Sequence, residues 1–326
     1  MIRDSWRTCA CAALAGLAAC AAPGWRRDYR GDMRRLVTGL SAYAKTRRPG
    51  FVVLTHNALP LLTVDGSPAG RPVVSYLTAL DGVVQESLFY SHDRGPTSPD
   101  DTRLLGSLLD VAKSRGLAAW VIDYPSTAAQ AADSRRRGRA KGYLCFEGEK
   151  DLDRIPQSEP GPGHSEDVRR LQEAADFLYL INPGRFGDRG AYLDALRKAG
   201  QDVLVVDLFY GGTALSSAEV ASLQKRPNGR RRLVLAYMSV GEAEDYRYYW
   251  KPGFTAAPPG WLEAKNPAWP GDYKVRYWDP AWRRLVYGGE DSYLDRILTA
   301  GFDGVALDVV DAYAYFEALS PGSSRR

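Results

Sequence analysis

Cysteine and histidine are scarce in this chain of 326 residues. Cys9, Cys11 and Cys20 fall at the start, and Cys145 stands alone in the remainder. One internal thiol supports neither a disulfide framework nor a cysteine metal site. His56, His92 and His164 are the only histidines, which argues against a multi-histidine centre, so no metal and no organic cofactor is expected. Charge of one sign is also lacking, with a formal net charge of +4. Arginine runs at 135–139 and 230–232 come without a recognition motif, so solvated surface is the simpler reading and no nucleic-acid partner is expected. No Gly-rich phosphate turn follows an early strand, which counts against a doubly wound nucleotide-binding sheet.

What is present begins with a short apolar segment, Cys9 to Ala19, preceded by Arg3 and Arg7. It is too short for a permanent membrane span and reads as a signal peptide over 1–20. Its end, Leu17-Ala-Ala-Cys20, resembles the lipobox of bacterial lipoproteins. That resemblance implies lipidation at Cys20, a membrane anchor, and a periplasmic or cell-surface location. A plain secretory signal cut near Ala22 is the alternative, and it too exports the protein. Residues 21–32 then read as a polar tether.

The whole chain is 45% hydrophobic and 25% charged, enough to bury a full core. Apolar runs alternate with amphipathic stretches throughout. Runs closing at Asn57, Glu86, Asp123 and Glu147 precede a Pro/Gly-rich stretch at 156–164. Runs closing at Asn182, Asp207, Glu242 and Asp308 follow it. Strand–helix alternation predicts parallel strands with helices outside. Eight units predict a (β/α)8 TIM barrel over 33–318, interrupted by a linker at 156–175 and followed by a tail at 319–326.

The site of such a barrel lies at the C-terminal ends of its strands, and six of the eight runs close on an acid. Crowded carboxylates shift one another's pKa, so that one can hold a proton while another stays ionised. That is what glycoside hydrolysis by a carboxylate pair requires, and an acidic bowl also favours a cationic substrate. Any one of these acids could instead cap the next helix. The stretch 246–283 carries Trp250, Trp261, Trp269, Trp278 and Trp282. These rings could stack on sugars or pack on one another. Arg247 and Lys274 are expected to pair with ring acids.

Three motifs carry a more specific signal: Ala236-Tyr-Met-Ser-Val-Gly-Glu-Ala-Glu-Asp-Tyr-Arg-Tyr-Tyr-Trp250, Asn266-Pro-Ala-Trp-Pro-Gly-Asp-Tyr-Lys-Val-Arg-Tyr-Trp278 and Gly301-Phe-Asp-Gly-Val-Ala-Leu-Asp-Val-Val-Asp-Ala-Tyr313. They resemble glycoside hydrolase family 114, the endo-α-1,4-polygalactosaminidases and their relatives. The order of segments departs from that family. Residues 176–318 resemble its strands one to four, and 33–155 its strands five to eight, so the chain resembles a circular permutant. The resemblance implies Asp308 as nucleophile and Glu86 as general acid/base of a retaining mechanism. On that assignment Asp123, Asp207, Glu242 and Asp311 would bind substrate amines or tune the pair, Asn57 and Tyr124 are lesser candidates for substrate contact, and Trp250 and Trp278 are candidate sugar-stacking rings. The implied substrate is an amino-sugar polysaccharide with some free amines. A barrel that binds such a polymer without cleaving it is the alternative.

Overall fold

The computed structural model describes residues 27–93, 95–156 and 166–320; Cys20, the leader and most of the 156–164 stretch lie outside the described residues. Eight parallel strands form one sheet: β1 (Val52–His56), β2 (Gly82–Glu86), β3 (Ala118–Asp123), β4 (Leu144–Glu147), β5 (Phe177–Leu180), β6 (Val203–Asp207), β7 (Leu233–Ser239) and β8 (Gly304–Asp308). Nearly every strand residue is buried, as expected where helices cover one face and the barrel interior the other. The spatial order is β4-β3-β2-β1-β8-β7-β6-β5, so the first and last strands pair directly, from Val52↔Gly304 to Thr55↔Leu307. Among the described residues no ladder joins β4 to β5. That seam is filled by stacked rings instead, with Phe177 on Trp120 at 4.4 Å and near Phe146 at 5.6 Å. The result is a nearly closed (β/α)8 barrel, as the alternation predicts.

Helices α1 (Tyr29–Arg47), α2 (Pro99–Ser114), α3 (Ala128–Lys141), α4 (Arg189–Lys198), α5 (Ser217–Leu223), α6 (Pro280–Val286), α7 (Tyr293–Ala300) and α8 (Tyr313–Leu319) accompany the strands. Their boundaries follow local chemistry. Side chains of Ser98, Thr127, Asp188, Ser216 and Ser292 each accept a backbone N–H in the first turn, and left-handed Gly142 and Gly301 close α3 and α7. α1 begins at Tyr29, so residues 29–32 are helical and Asp28 is its N-cap.

The strand beginnings are stitched by aspartates. Asp81, Asp202 and Asp303 each accept a backbone N–H from the neighbouring strand or its approach, at Val53, Ala175 and Val234, at 2.8–2.9 Å. Asp176 accepts from Asp202 N at 2.7 Å. These bonds pin register at the floor of the barrel and leave the other strand ends to the site. Gly304 is needed where β8 passes β1, because a Cβ there would run into the Val52 carbonyl.

Candidate active site

Three adjacent strands, β2, β1 and β8, end on Glu86, His56 and Asp308. The next residue after each is left-handed although none is glycine: Ser87 at φ 55°, Asn57 at φ 56° and Val309 at φ 55°. Only Leu152 and Asp291 share that conformation among the described non-glycine residues. A left-handed backbone is costly for a side-chain-bearing residue and most so for β-branched valine. Neighbours over-determine it here. Ser87 N donates to Ile122 O at 2.7 Å, Asn57 N to Val84 O at 3.0 Å, and Val309 N to its preceding carboxylate at 2.7 Å. Strain concentrated in this way marks a functional site.

His56 lies between the two acids with 3% of its side chain exposed. Its Nε2 is 3.4 Å from Glu86 Oε2 and its Nδ1 is 3.4 Å from Asp308 Oδ1. The Tyr179 hydroxyl, from β5, meets Nδ1 at 3.2 Å. Glu86 is further held by the Tyr124 hydroxyl and by Asn57 Nδ2, which donates at 2.8 Å. Asn57 Oδ1 in turn accepts from Glu86 N and Gln85 Nε2 at 2.9 and 3.0 Å. Glu86 and Asp308 keep 26% and 22% of their side chains open, so both can be reached from the mouth. His56 cannot.

These contacts set the charges. Burial alone would raise Glu86, but the His56 cation and the donors Tyr124 and Asn57 hold it at about 2. Burial works against a charge on His56, yet Glu86 and Asp308 lift it from 6.5 to about 9. Asp308 is raised, by burial and by Glu86, with His56 pulling the other way. Asp311, on the turn after β8, is pushed to about 7 by burial and by Asp308. Asn57, Tyr124, Glu86, Asp308 and Asp311 therefore form one electrostatic unit around His56.

The other expected contacts sit differently. Asp207 ends β6 but is buried, and it receives a two-pronged Arg247 at 2.8 Å on each oxygen. Arg247 also holds Glu244. Glu242 does not end a barrel strand. β7 stops at Ser239, and Glu242–Glu244 opens a separate antiparallel sheet with Asp272–Val275 and Leu262–Lys265. Its carboxylate is buried against Lys274 and accepts from Asn266 at 2.9 Å. Arg247 and Lys274 thus pair with acids, as expected. Asp123 is wholly buried and accepts from Phe89 N, Tyr90 N and Ser134 Oγ at 2.7–3.0 Å. It fastens the segment after β2, with its carboxylate shielded from solvent.

The aromatic stretch packs largely on itself. Trp250 lies against Tyr273 and Phe254. Trp278 lies against Phe316, Tyr277 and Tyr29, with the Arg27 guanidinium over its ring. Trp261 and Trp282 are buried and face each other at 4.9 Å. Trp269 differs: it is 45% exposed and borders a hollow of about 330 Å³ with Asp151, Asp153, Asn182, Gly184 and Arg185. Apart from Trp269 these residues follow β4 and β5, so the hollow lies beyond the C-terminal ends of the two strands that flank the seam, and none of Glu86, His56 and Asp308 lines it. Among the described residues no cluster of His, Cys, Asp and Glu has the arrangement to hold a metal ion.

Sequence reasoning assigns no role to His56, Tyr179, Tyr237, Glu244 or Asp272. His56 stands one residue before Asn57, where the apolar run is expected to close, and the strand ends on it instead.

Residues 168–324 match the model of glycoside-hydrolase family GH114. The second half of the chain is GH114 sequence. That segment contains Asp308, while Glu86 and His56 stand outside it on neighbouring strands. Relatives include an uncharacterized protein of Methanocaldococcus jannaschii, 38% identical over 131 residues, which are 39% of this chain and 36% of that protein. An uncharacterized protein of Deinococcus radiodurans is 41% identical over 122 residues, 37% of each chain. One of Thermotoga maritima is 45% identical over 82 residues, 25% of this chain and 24% of that protein. The chain thus spans little more than a third of the first two relatives' length.

Proposed function

We propose that the chain is an endo-acting glycoside hydrolase that cleaves α-1,4-linked galactosamine-rich polysaccharide with retention. Asp308 is the nucleophile and Glu86 the general acid/base. The observation that carries this reading is the placement of two mouth-exposed carboxylates on the two nitrogens of one buried imidazole, each at a strained strand end. The GH114 match supports it from sequence. Asp308 attacks C1 while Glu86 protonates the leaving oxygen; water, deprotonated by Glu86, then hydrolyses the glycosyl ester. Asp311 and the Trp269 hollow line the approach, and the ionised acids favour units bearing free amines.

The proposal includes a circular permutation, with 176–318 standing for family strands one to four and 33–155 for five to eight. The full β1–β8 ladder, the unlinked β4/β5 seam and the confinement of the match to the second half support it. It also includes export and a lipid anchor at Cys20. α1 starts on the mouth side, so such a tether would leave the protein beside its own site.

Partly deacetylated polygalactosamine incubated with the wild type should yield new reducing ends. Asp308→Asn and Glu86→Gln should each lose at least ~10²-fold in rate, with the far-ultraviolet spectrum unchanged. Undiminished cleavage by either variant removes that residue's role. Tight polymer binding without new ends would establish the non-catalytic barrel instead, a reading that the ionised resting state of Glu86 favours. In bacterial cells producing the full chain, a fatty-acid analogue should label the wild type and not Cys20→Ser; equal labelling of both removes the anchor.

A further inference from the structure

Between turnovers the proposed acid holds no proton of its own. Glu86 accepts from Tyr124 and Asn57 and faces a third donor, the pattern of an ionised carboxylate. A general acid must nevertheless deliver a proton to the leaving oxygen. The buried carrier within reach is His56. Its Nε2 is shielded from solvent and makes no hydrogen bond of good geometry, and the charged atom before it is Glu86 Oε2 at 3.4 Å. Its other nitrogen is occupied by Tyr179 and Asp308.

Resting on the glycosidase reading, we infer that His56 stores the catalytic proton as an imidazolium and passes it from Nε2 to Glu86 once a saccharide fills the mouth. The groups that face His56 or its two carboxylates are Glu86 on β2, Asp308 on β8, Asp311 on the following turn and Tyr179 on β5. Tyr124 lies beyond Glu86, and Tyr237 beyond Asp308. A bound sugar ring desolvates the carboxylates, which raises their proton affinity. The Nε2–H bond then breaks and a Glu86 O–H bond forms, leaving neutral imidazole and a carboxylic acid with the net charge of the trio unchanged. As Asp308 bonds to C1 and the C1–O bond breaks, Glu86 gives that proton to the leaving oxygen. In the second half Glu86 takes a proton from the attacking water, Asp308 departs as carboxylate, and the proton returns to Nε2. His56 does not touch the saccharide and is a positioning residue. The value of about 9 for its resting form agrees with this role.

The test reads the imidazole itself. With the full chain ¹⁵N-labelled, the His56 signal is the one absent in His56→Gln. In the wild type its titration midpoint should lie well above 7, and it should fall by at least ~1 pH unit in Glu86→Gln and in Asp308→Asn. An ordinary midpoint in the wild type, or one unmoved in both variants, overturns the inference. The second readout is kcat/KM against pH. A stored proton places the alkaline limb at the His56 midpoint, and His56→Gln should move that limb towards acid by more than ~1 pH unit. A drop in rate with the limb unmoved would mark a structural role only and overturn the inference. No cleavage by wild type, with the high midpoint intact, would sink the glycosidase reading and the transfer step together.

Discussion

Ser87 pays conformationally for the aim of Glu86. Its backbone is held at φ 55° by Ser87 N to Ile122 O at 2.7 Å and by Thr97 Oγ1 donating to Ser87 O at 2.7 Å. A left-handed residue with a Cβ costs about 1–2 kcal/mol, from which glycine's extra chain entropy of about 0.5–1 kcal/mol must be subtracted. Ser87→Gly should therefore raise stability in urea by up to ~1.5 kcal/mol, while kcat falls several-fold because Glu86 is less firmly aimed. A loss of more than ~1 kcal/mol on this substitution would show that the serine side chain, not the backbone, secures the turn. Glu86 and Asp308 are legible from sequence because an acid closing an apolar run is conspicuous. His56 stands one residue before the expected end of its run, Asn57, and the strand closes on it. Its meaning depends on β1 lying between β2 and β8, an adjacency that residues far apart in sequence do not announce.

At the scale of elements, the excursion after β7 reads as a long aromatic loop in sequence but contains the three-stranded antiparallel sheet. Its strands are short, at three and four residues, so the alternation that betrays a strand has little length to show. Pairing in that sheet sets Lys274 opposite Glu242, a favourable couple, but Asp272 opposite Glu244, a like-charged one. Burial first, then Glu244 and Glu242, push Asp272 to about 8 from an ordinary 3.8. The unfolded chain releases that proton near 3.8 and the folded one near 8. The folded state thus binds more protons between those values, and stability falls as pH rises through the interval. Asp272→Asn should raise the melting temperature at pH 8 and make little difference below pH 4, narrowing the decline between. An identical pH slope in wild type and variant would show that Asp272 ionises normally.

The whole molecule brings its two ends together beside the β1–β8 pairing. Arg30 at the start of α1 bonds Glu317 in α8 at 2.9 Å, Tyr29 stacks on Phe316 at 5.6 Å, and Tyr277 donates to Tyr29 O at 2.9 Å. The first and last strands share a full ladder, whereas β4 and β5 meet through Phe177, Trp120 and Phe146. Eight alternating units and five of the six expected strand-end acids are legible in the sequence, since periodicity and strand-end chemistry are local. Which strands abut is not local, and only the order of motifs hints at it. If the chain is a permutant, its native sequence break is energetically arbitrary and the seam is the place where a break costs least. A re-ordered chain should then fold: residues 166–319, a flexible glycine–serine linker of about six residues to bridge the short gap, and residues 28–156. It should melt cooperatively within ~5 °C of the parent, because the ladders and helix caps are all retained. It should cleave the same polymer, since β2, β1 and β8 keep their adjacency. Aggregation of the re-ordered chain, or a broad non-cooperative melt, would show that the covalent path through 157–165 holds the seam shut and that the present order is not interchangeable with the family's.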